Sequence, residues 1–351
     1  MDHILDPDNS LHDWLQTNKF PTYRAKQIRR WLYQGRADGF DQMSDLPKEL
    51  RQRAAEDFSL WTTKIAKHQK SQDGTEKLLL ELEDGGRIEC VLLRDENRRT
   101  ICISSQVGCA MGCVFCASGL DGVDRNLTSG EIIEQMLRLQ RLLPDEERLS
   151  HIVVMGMGEP LANLNRLIPA LDQASAEDGL GISARRITIS TVGLPRAIHR
   201  LADLNSRYHL AVSLHAPNDQ LRDKIVPVNS NIGVQKILDA ADHYFAVSSR
   251  RLTFEYVLLA DINDQPEHAR ELANLLKHRN ILLNVIPYNP VAGLPYKTPS
   301  SRSISDFRSI LLRANINIQF RQRKGDDIDA ACGQLRRKTK EIHEIQPLNQ
   351  V

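Results

Sequence analysis

The sequence predicts an α/β protein: a full or incomplete β/α barrel preceded by a small helical unit and a strand hairpin. Three observations carry this. Apolar residues recur at helical spacing through residues 10–57. The period then shortens to that of strands up to Ser104. From residue 129 onward, strand and helix candidates alternate. Crossovers of that length favour parallel strands on right-handed βαβ units. With 351 residues and 41% hydrophobic content, the chain can bury one substantial core plus a smaller unit.

The elements follow in order. SLHDWLQ, YRAKQIRRWLYQG and LPKELRQRAAEDF read as short helices, with Pro21 and Pro47 suited to helix starts and Gly35 to a stop. KLLLELEDGGRIECVLL reads as a hairpin turning on Asp84, Gly85 and Gly86. RRTICISS is a further strand that delivers Cys102. The barrel strands are HIVVMGMG, RRITIST, HLAVSLHA, LTFEYVLL, ILLNVIPYN and INIQFRQR. Helical segments such as SGEIIEQMLRLQRLL, VQKILDAADHYF, PEHARELANLLKH and SISDFRSILLRA lie between them. Four regions are expected: an accessory unit over 1–60, a strand and hairpin region over 61–104, a core barrel over 105–340, and a mobile tail over 341–351. In barrels of this kind, chemistry belongs at the C-terminal ends of the strands.

A formal net charge of +1 excludes a polycation. No run of about 18 apolar residues and no export signal is present, so a cytoplasmic chain without membrane contact is expected. Six cysteines, Cys90, Cys102, Cys109, Cys113, Cys116 and Cys332, then point to metal or catalytic duty rather than disulfides. Cys109, Cys113 and Cys116 lie in CAMGCVFCASG with three and then two residues between them. That spacing wraps one [4Fe–4S] cube and leaves one iron without a protein ligand. An open iron can be chelated by S-adenosylmethionine (SAM) and used to cleave it to a radical. Structural zinc is the rival reading, but it favours paired CxxC knuckles, and a second CxxC is missing. Phe115 either shields a cluster or fills the core.

MGMGEP (155–160) follows a strand, and its glycines would let backbone approach a ligand closely. Gly158 and Glu159 suit the methionine ammonium of SAM. Ser190, Ser213 and Asn289 fit either SAM contacts or strand-end hydrogen bonds, and His215 either a ligand contact or a satisfied imidazole. Cys332 lies among small residues in KGDDIDAACGQL, where its thiol would meet a ligand unobstructed and act as a nucleophile. The neighbouring Asp326, Asp327 and Asp329 oppose a thiolate unless they face away or are paired. A buried small hydrophobe is the plain alternative for this cysteine.

CISSQVGCAMGCVFCASG (102–119), RNLTSGEI, MGMGEPLAN, STVG, SLHA, IPYNP and KGDDIDAACGQL together closely resemble the RlmN family of radical SAM RNA adenine methyltransferases. The resemblance spans residues 8–340 and implies an incomplete barrel with an N-terminal accessory domain. It implies methylation of C2 of adenosine 2503 in 23S rRNA, and in many members of adenosine 37 in tRNA. It implies Cys109, Cys113 and Cys116 as cluster ligands, and Gly158, Glu159, Ser190, Ser213, Leu214, His215 and Asn289 as SAM contacts. Cys332 matches the cysteine that becomes methylated, Cys102 the one that resolves the enzyme–RNA adduct by forming a disulfide, and Glu89 a proton acceptor. Val154 and Tyr288 depart mildly from the family's FMGMGEP and PWNP. An electron donor such as flavodoxin and a monomeric state are expected. Cys90 has no role beyond packing.

Lys19, Arg24, Lys26, Arg29 and Arg30 form one basic cluster. Within it, Lys26, Arg29 and Arg30 are expected to line a phosphate-facing side. Arg321, Arg323 and Lys324 form a second, beside the Cys332 loop. The target base must leave its stack to reach Cys332. Two rivals stand: a Cfr-type enzyme methylating C8 of the same adenosine, disfavoured by Pro160, and a non-catalytic iron–sulfur RNA-binding protein, disfavoured by Cys332.

Overall fold

The computed structural model describes residues 1–7, 10–205, 207–321 and 324–336. The expected mobile tail, 341–351, lies outside the described residues, as does Arg323.

One sheet of ten strands organises the chain. They are β1 Lys64–Lys70, β2 Glu76–Glu81, β3 Arg87–Asp95, β4 Arg98–Cys102, β5 His151–Val154, β6 Ile187–Thr191, β7 His209–Ser213, β8 Leu252–Leu258, β9 Ile281–Pro287 and β10 Ile318–Phe320. Each pairs with its neighbours in sequence. The run β1 to β4 is an antiparallel meander, and β4 to β10 are all parallel. The expected turn at Asp84–Gly86 is present: Gly85 takes φ +82°, and the Gly86 N–H donates to Asp84 Oδ1. The face of the parallel strands turned to the crossover helices is closely packed, with Ile189, Leu210, Val212, Phe254, Leu283 and Val285 wholly inaccessible, while the other face lines the barrel interior. The sheet does not close, since its edge strands are β1 and β10.

The N-terminal unit packs α1 Leu11–Thr17, α2 Arg24–Arg29 and α3 Lys48–Asp57 around Leu15, Ile28, Leu32 and Leu50. Trp14 Nε1 donates to Asp57 Oδ2, tying α1 to α3. The crossover helices are α4 Ser129–Gln140, α5 Leu164–Ser175, α6 Pro195–Asp203, α7 Asp219–Ile225, α8 Val234–Ser248, α9 Pro266–Leu276 and α10 Ser301–Arg313. A capping box between Thr128 and Glu131 starts α4. The unit docks where α4 ends: Gln140 Nε2 donates to Tyr33 O, and Arg36 Nη1 donates to Leu143 O. Glu134, on the buried face of α4, accepts from the N–H and hydroxyl of both Thr62 and Thr63. Among the described residues, no helix is long and apolar enough to cross a membrane.

A strap, 324–336, leaves the end of β10 and crosses to the β1–β2 turn. The Gly325 N–H donates to Asp73 Oδ2, and Asp327 accepts from the Ser71 hydroxyl and the Gln72 N–H. Gly325 has φ +64°, and a Cβ there would lie 2.7 Å from Ala330 Cβ, so glycine is required. Underneath, Lys77 Nζ pairs with Glu89 Oε1 at 2.9 Å, both side chains 2% exposed, and also donates to Asp329 O. Glu89 Oε2 accepts from the Arg336 N–H at 2.8 Å. Removing one partner of such a pair strands a buried charge. Lys77→Met is therefore expected to lower unfolding free energy by ~3–5 kcal/mol, with Lys77→Met/Glu89→Leu recovering part of the loss in chemical denaturation. Full stability in the single variant would contradict this anchoring.

Candidate active site

The loop after β4 carries the three cysteines. The Cys109 N–H donates to Gly122 O, the Val114 N–H to Ile225 O, and the Cys116 N–H to Cys113 O, fixing the loop over the C-terminal ends of the strands. All three thiols are free and line one side of a cavity of about 930 Å³, open mouth included. Burial pushes the Cys109 thiol up to about 11 and the other two upward as well. Buried thiols of this kind become thiolates when metal offsets their charge. Among the described residues, no three such groups converge on a single-ion site. Phe115 is 6% exposed, lines the cavity and packs edge-on against His215.

Gly158, Glu159, Ser190, Ser213, His215 and Asn289 all line this cavity. Leu214 does not: its side chain is in the core, its N–H donates to Glu255 O, and its carbonyl accepts from Arg222 Nε. The glycines also act differently from expectation. A Cβ on Gly156 would lie 2.6 Å from Ser104 Oγ, and one on Gly158 2.6 Å from Gln106 Cβ. They admit the neighbouring protein segment, and so set the turn that carries Glu159. The Glu159 carboxylate is tied inward, accepting from the Leu161 N–H, the Thr191 hydroxyl and the Val192 N–H. His215 Nδ1 accepts from the Val257 N–H, which leaves the ring proton on Nε2. Burial, then the Arg222 charge, hold its pKa down at about 3, so it is a neutral donor and no general base. Asn289 Nδ2 donates to Cys332 O at 3.1 Å, while its Oδ1 is buried without a partner.

Sequence patterns missed several residues. Arg222 is fully buried and donates to the carbonyls of Leu214, Val192 and Ser213 and to Asn229 Oδ1, locking the ends of β6 and β7. Glu255, on β8, lines the cavity with Oε2 unpartnered, and burial raises its pKa. Arg321 was expected on an RNA-facing surface. It instead turns into the barrel, with Nη1 3.8 Å from Cys332 Sγ. Lys324 is held by Asp95 and Arg94 O. The N-terminal cluster is also largely committed: Arg29 pairs with Asp178 and Arg30 with Asp45, leaving Lys26 exposed. Their aspartates are distant in sequence, and so invisible to a reading of local charge.

Cys332 also borders a second cavity, of about 1740 Å³ with its mouth, which runs along the barrel interior toward the N-terminal ends of the strands. Cys102 lines that cavity and not the first. Burial, then the Cys332 charge, push its thiol up to about 12. Both cysteines are free. Asp327, one of the three acids near Cys332, faces the β1–β2 turn, and the charge beside the sulfur is Arg321. Glu89 lines neither cavity.

The Radical SAM superfamily model matches residues 103–273, and the ribosomal RNA large subunit methyltransferase N-terminal domain matches residues 5–60. A probable dual-specificity RNA methyltransferase RlmN from Rhodopirellula baltica is 65% identical over 97% of this chain and 92% of its own. The chain belongs to the RlmN family. The corresponding RlmN of Staphylococcus saprophyticus is 44% identical over 95% of this chain and 92% of its own. A crystal structure of a radical SAM methyltransferase from Sphaerobacter thermophilus superposes with a TM-score of 0.93 at 41% identity, covering 96% of this chain and 99% of that one. The family assignment agrees with the open barrel and helical accessory unit described above.

Before cluster loading, the RlmN-family thiols should differ in reactivity. Cys332 is exposed, Cys102 half-buried and Cys90 buried, and desolvation raises the thiol pKa of the last two. Iodoacetamide at neutral pH, read by peptide mass spectrometry, is expected to label Cys332 first and spare Cys102 and Cys90 until unfolding. Early labelling of Cys102 would contradict its raised pKa.

Proposed function

We propose that this chain transfers methyl groups from SAM to C2 of adenosine 2503 in 23S rRNA and of adenosine 37 in tRNAs, through a methyl group carried on Cys332. The observation that carries this reading is the position of Cys332 in the wall between two cavities, one shared with the three cluster-type cysteines and the other with Cys102. Cys109, Cys113 and Cys116 would hold a [4Fe–4S] cluster. Ser190, Ser213, the Gly158–Glu159 turn, His215 Nε2 and the unpartnered Asn289 Oδ1 would hold SAM. Bound there, the cluster supplies the single electron that turns SAM into a source of carbon radicals, chemistry no side chain provides.

The chain's own residues do the rest. Adenine C2 is electron-poor and its C–H is not acidic, so a positioned base alone would not methylate it. Cys332 offers an exposed sulfur that first takes a methyl group by displacement, with the Arg321 guanidinium 3.8 Å away. The same sulfur then presents its carbon to a base lying in the second cavity, away from SAM. Cys102 borders that cavity and resolves the adduct: its sulfur bonds to the Cys332 sulfur as the bond from that sulfur to the transferred carbon breaks, and the released carbon takes up a proton to become the methyl group. Glu89 is retained as acceptor of the C2 proton, with the Arg336 N–H the contact it must give up. Electron delivery falls to a separate donor such as flavodoxin.

Anaerobic reconstitution with SAM, reductant and an unmodified rRNA fragment is expected to give 2-methyladenosine by nucleoside mass spectrometry. An 8-methyladenosine product would keep the mechanism and overturn the position. Cys102→Ala is expected to trap a covalent enzyme–RNA adduct, and Cys332→Ala to abolish both product and adduct. Repeated turnover by the Cys102 variant without added thiol would remove its assigned role.

A further inference from the structure

The second cavity reaches from Cys332 to the N-terminal ends of the parallel strands, away from the cysteine loop, and that rim is basic. Arg98 opens β4, His151 opens β5, and Arg186 directly precedes β6; all three line the cavity. The pattern continues round the rim. Arg185 adjoins Arg186, His209 opens β7, and Arg250 and Arg251 directly precede β8. These groups act on one another. Burial and then the charges of Arg98 and Arg186 lower the pKa of His151, and burial followed by Arg250 heads the causes that lower that of His209.

The local carboxylates do not neutralise this rim. Asp95 is taken by Lys324, and Glu147 by Arg99. Among the described residues neither Arg98 nor Arg186 is ion-paired, and both are exposed, so core packing does not account for them. In β/α barrels the N-terminal strand ends ordinarily serve stability. Gathering like charges there opposes stability, and a polyanion relieves it. The accessory unit reaches the same end of the barrel, since Arg36 holds Leu143 O ahead of β5 and Gln34 holds Glu177 O ahead of β6. A polyanion spanning the rim would therefore continue onto that unit, where Lys26 is exposed.

We propose that the N-terminal rim of the barrel is the RNA-docking face, on which Arg98, His151 and Arg186 hold the phosphates flanking the target adenosine while its base passes up the second cavity to Cys332. This rests on the RNA methyltransferase reading given above. A base approaching Cys332 from the side away from SAM must come through this cavity. The cavity runs without interruption from the basic rim to Cys332, as a base entering from that rim requires. Phosphate contacts position an RNA without reading its sequence. One clamp therefore serves both an rRNA and a tRNA.

The test uses the cluster-loaded full chain, with fluorescent unmodified 23S rRNA hairpin and tRNA anticodon stem-loop as probes. Anisotropy titrations across a salt series compare wild type with Arg98→Glu/Arg186→Glu. Arg302→Glu, exposed at the start of α10 beyond the opposite strand ends, is the charge control. The double variant is expected to bind both RNAs about tenfold or more weakly, with a salt slope shallower by roughly 1.5, the loss of two phosphate contacts. Methylation of Cys332 by SAM, read as the mass of its peptide, should be unchanged. Wild-type affinity and slope in the double variant would overturn the docking face while leaving the methyltransferase reading intact. An equal loss in Arg302→Glu would also overturn it, by showing an effect of net charge alone. Failure of wild type to bind either RNA would instead overturn the underlying reading.

Discussion

A sheet that curls through ten strands without joining its edges leaves an open side, and the strap of residues 324–336 spans it. The rest of the site depends on that closure. The strap is gripped at both ends: Asp73 and Ser71 of the β1–β2 turn hold one, and Glu89 and the cysteine loop hold the other through the Arg336 and Ala117 N–H groups. Asn289 fixes the Cys332 carbonyl between them. The buried Lys77–Glu89 pair gains stability only if its remaining hydrogen-bonding capacity is used. Here that capacity is used on the strap itself, at Asp329 O and the Arg336 N–H. The hairpin extension is therefore the anchor for a cysteine about 240 residues later in the chain.

Placed there, Cys332 separates two environments. Above it, half-buried thiols, a neutral His215 and a tied Glu159 line a pocket whose polar groups are set in advance of any ligand. Arg222 contributes by holding strand-end carbonyls that would otherwise point into the pocket unpaired. Below it, the barrel interior grades from apolar wall to a basic mouth. Arg321 sits at the junction, near sulfur on one side and Glu255 on another.

The fold was legible because strand and helix periods differ so sharply. The six barrel strands read from the sequence all appear, as does the DGG turn. Helices α5, α6 and α7 were not among the segments named; Pro169 interrupts the pattern of α5, and α6 and α7 are short. The cysteine spacing announced the cluster loop because ligand geometry is local. What stayed hidden depended on distant partners. Arg29 and Arg30 read as RNA contacts until Asp178 and Asp45 are brought to them, and Arg321 read as surface until β10 is seen to point it inward. Gly156 and Gly158 were correctly singled out for close approach, but the approaching group is protein backbone and side chain. Leu214 followed its motif neighbours by analogy, and the alternation of its strand end turns it into the core.

The central claim is that one sulfur, Cys332, serves both cavities in turn. It is tested most directly by a methyl chase. Cluster-loaded protein is first charged with SAM bearing a ¹³C methyl group and freed of excess. It is then given unlabelled SAM, reductant and RNA for a single turnover. The account predicts that the first methyladenosine carries ¹³C, having passed through Cys332. An unlabelled first product, with ¹³C still on the protein, would show that the methyl group reaches RNA without Cys332 and would contradict it.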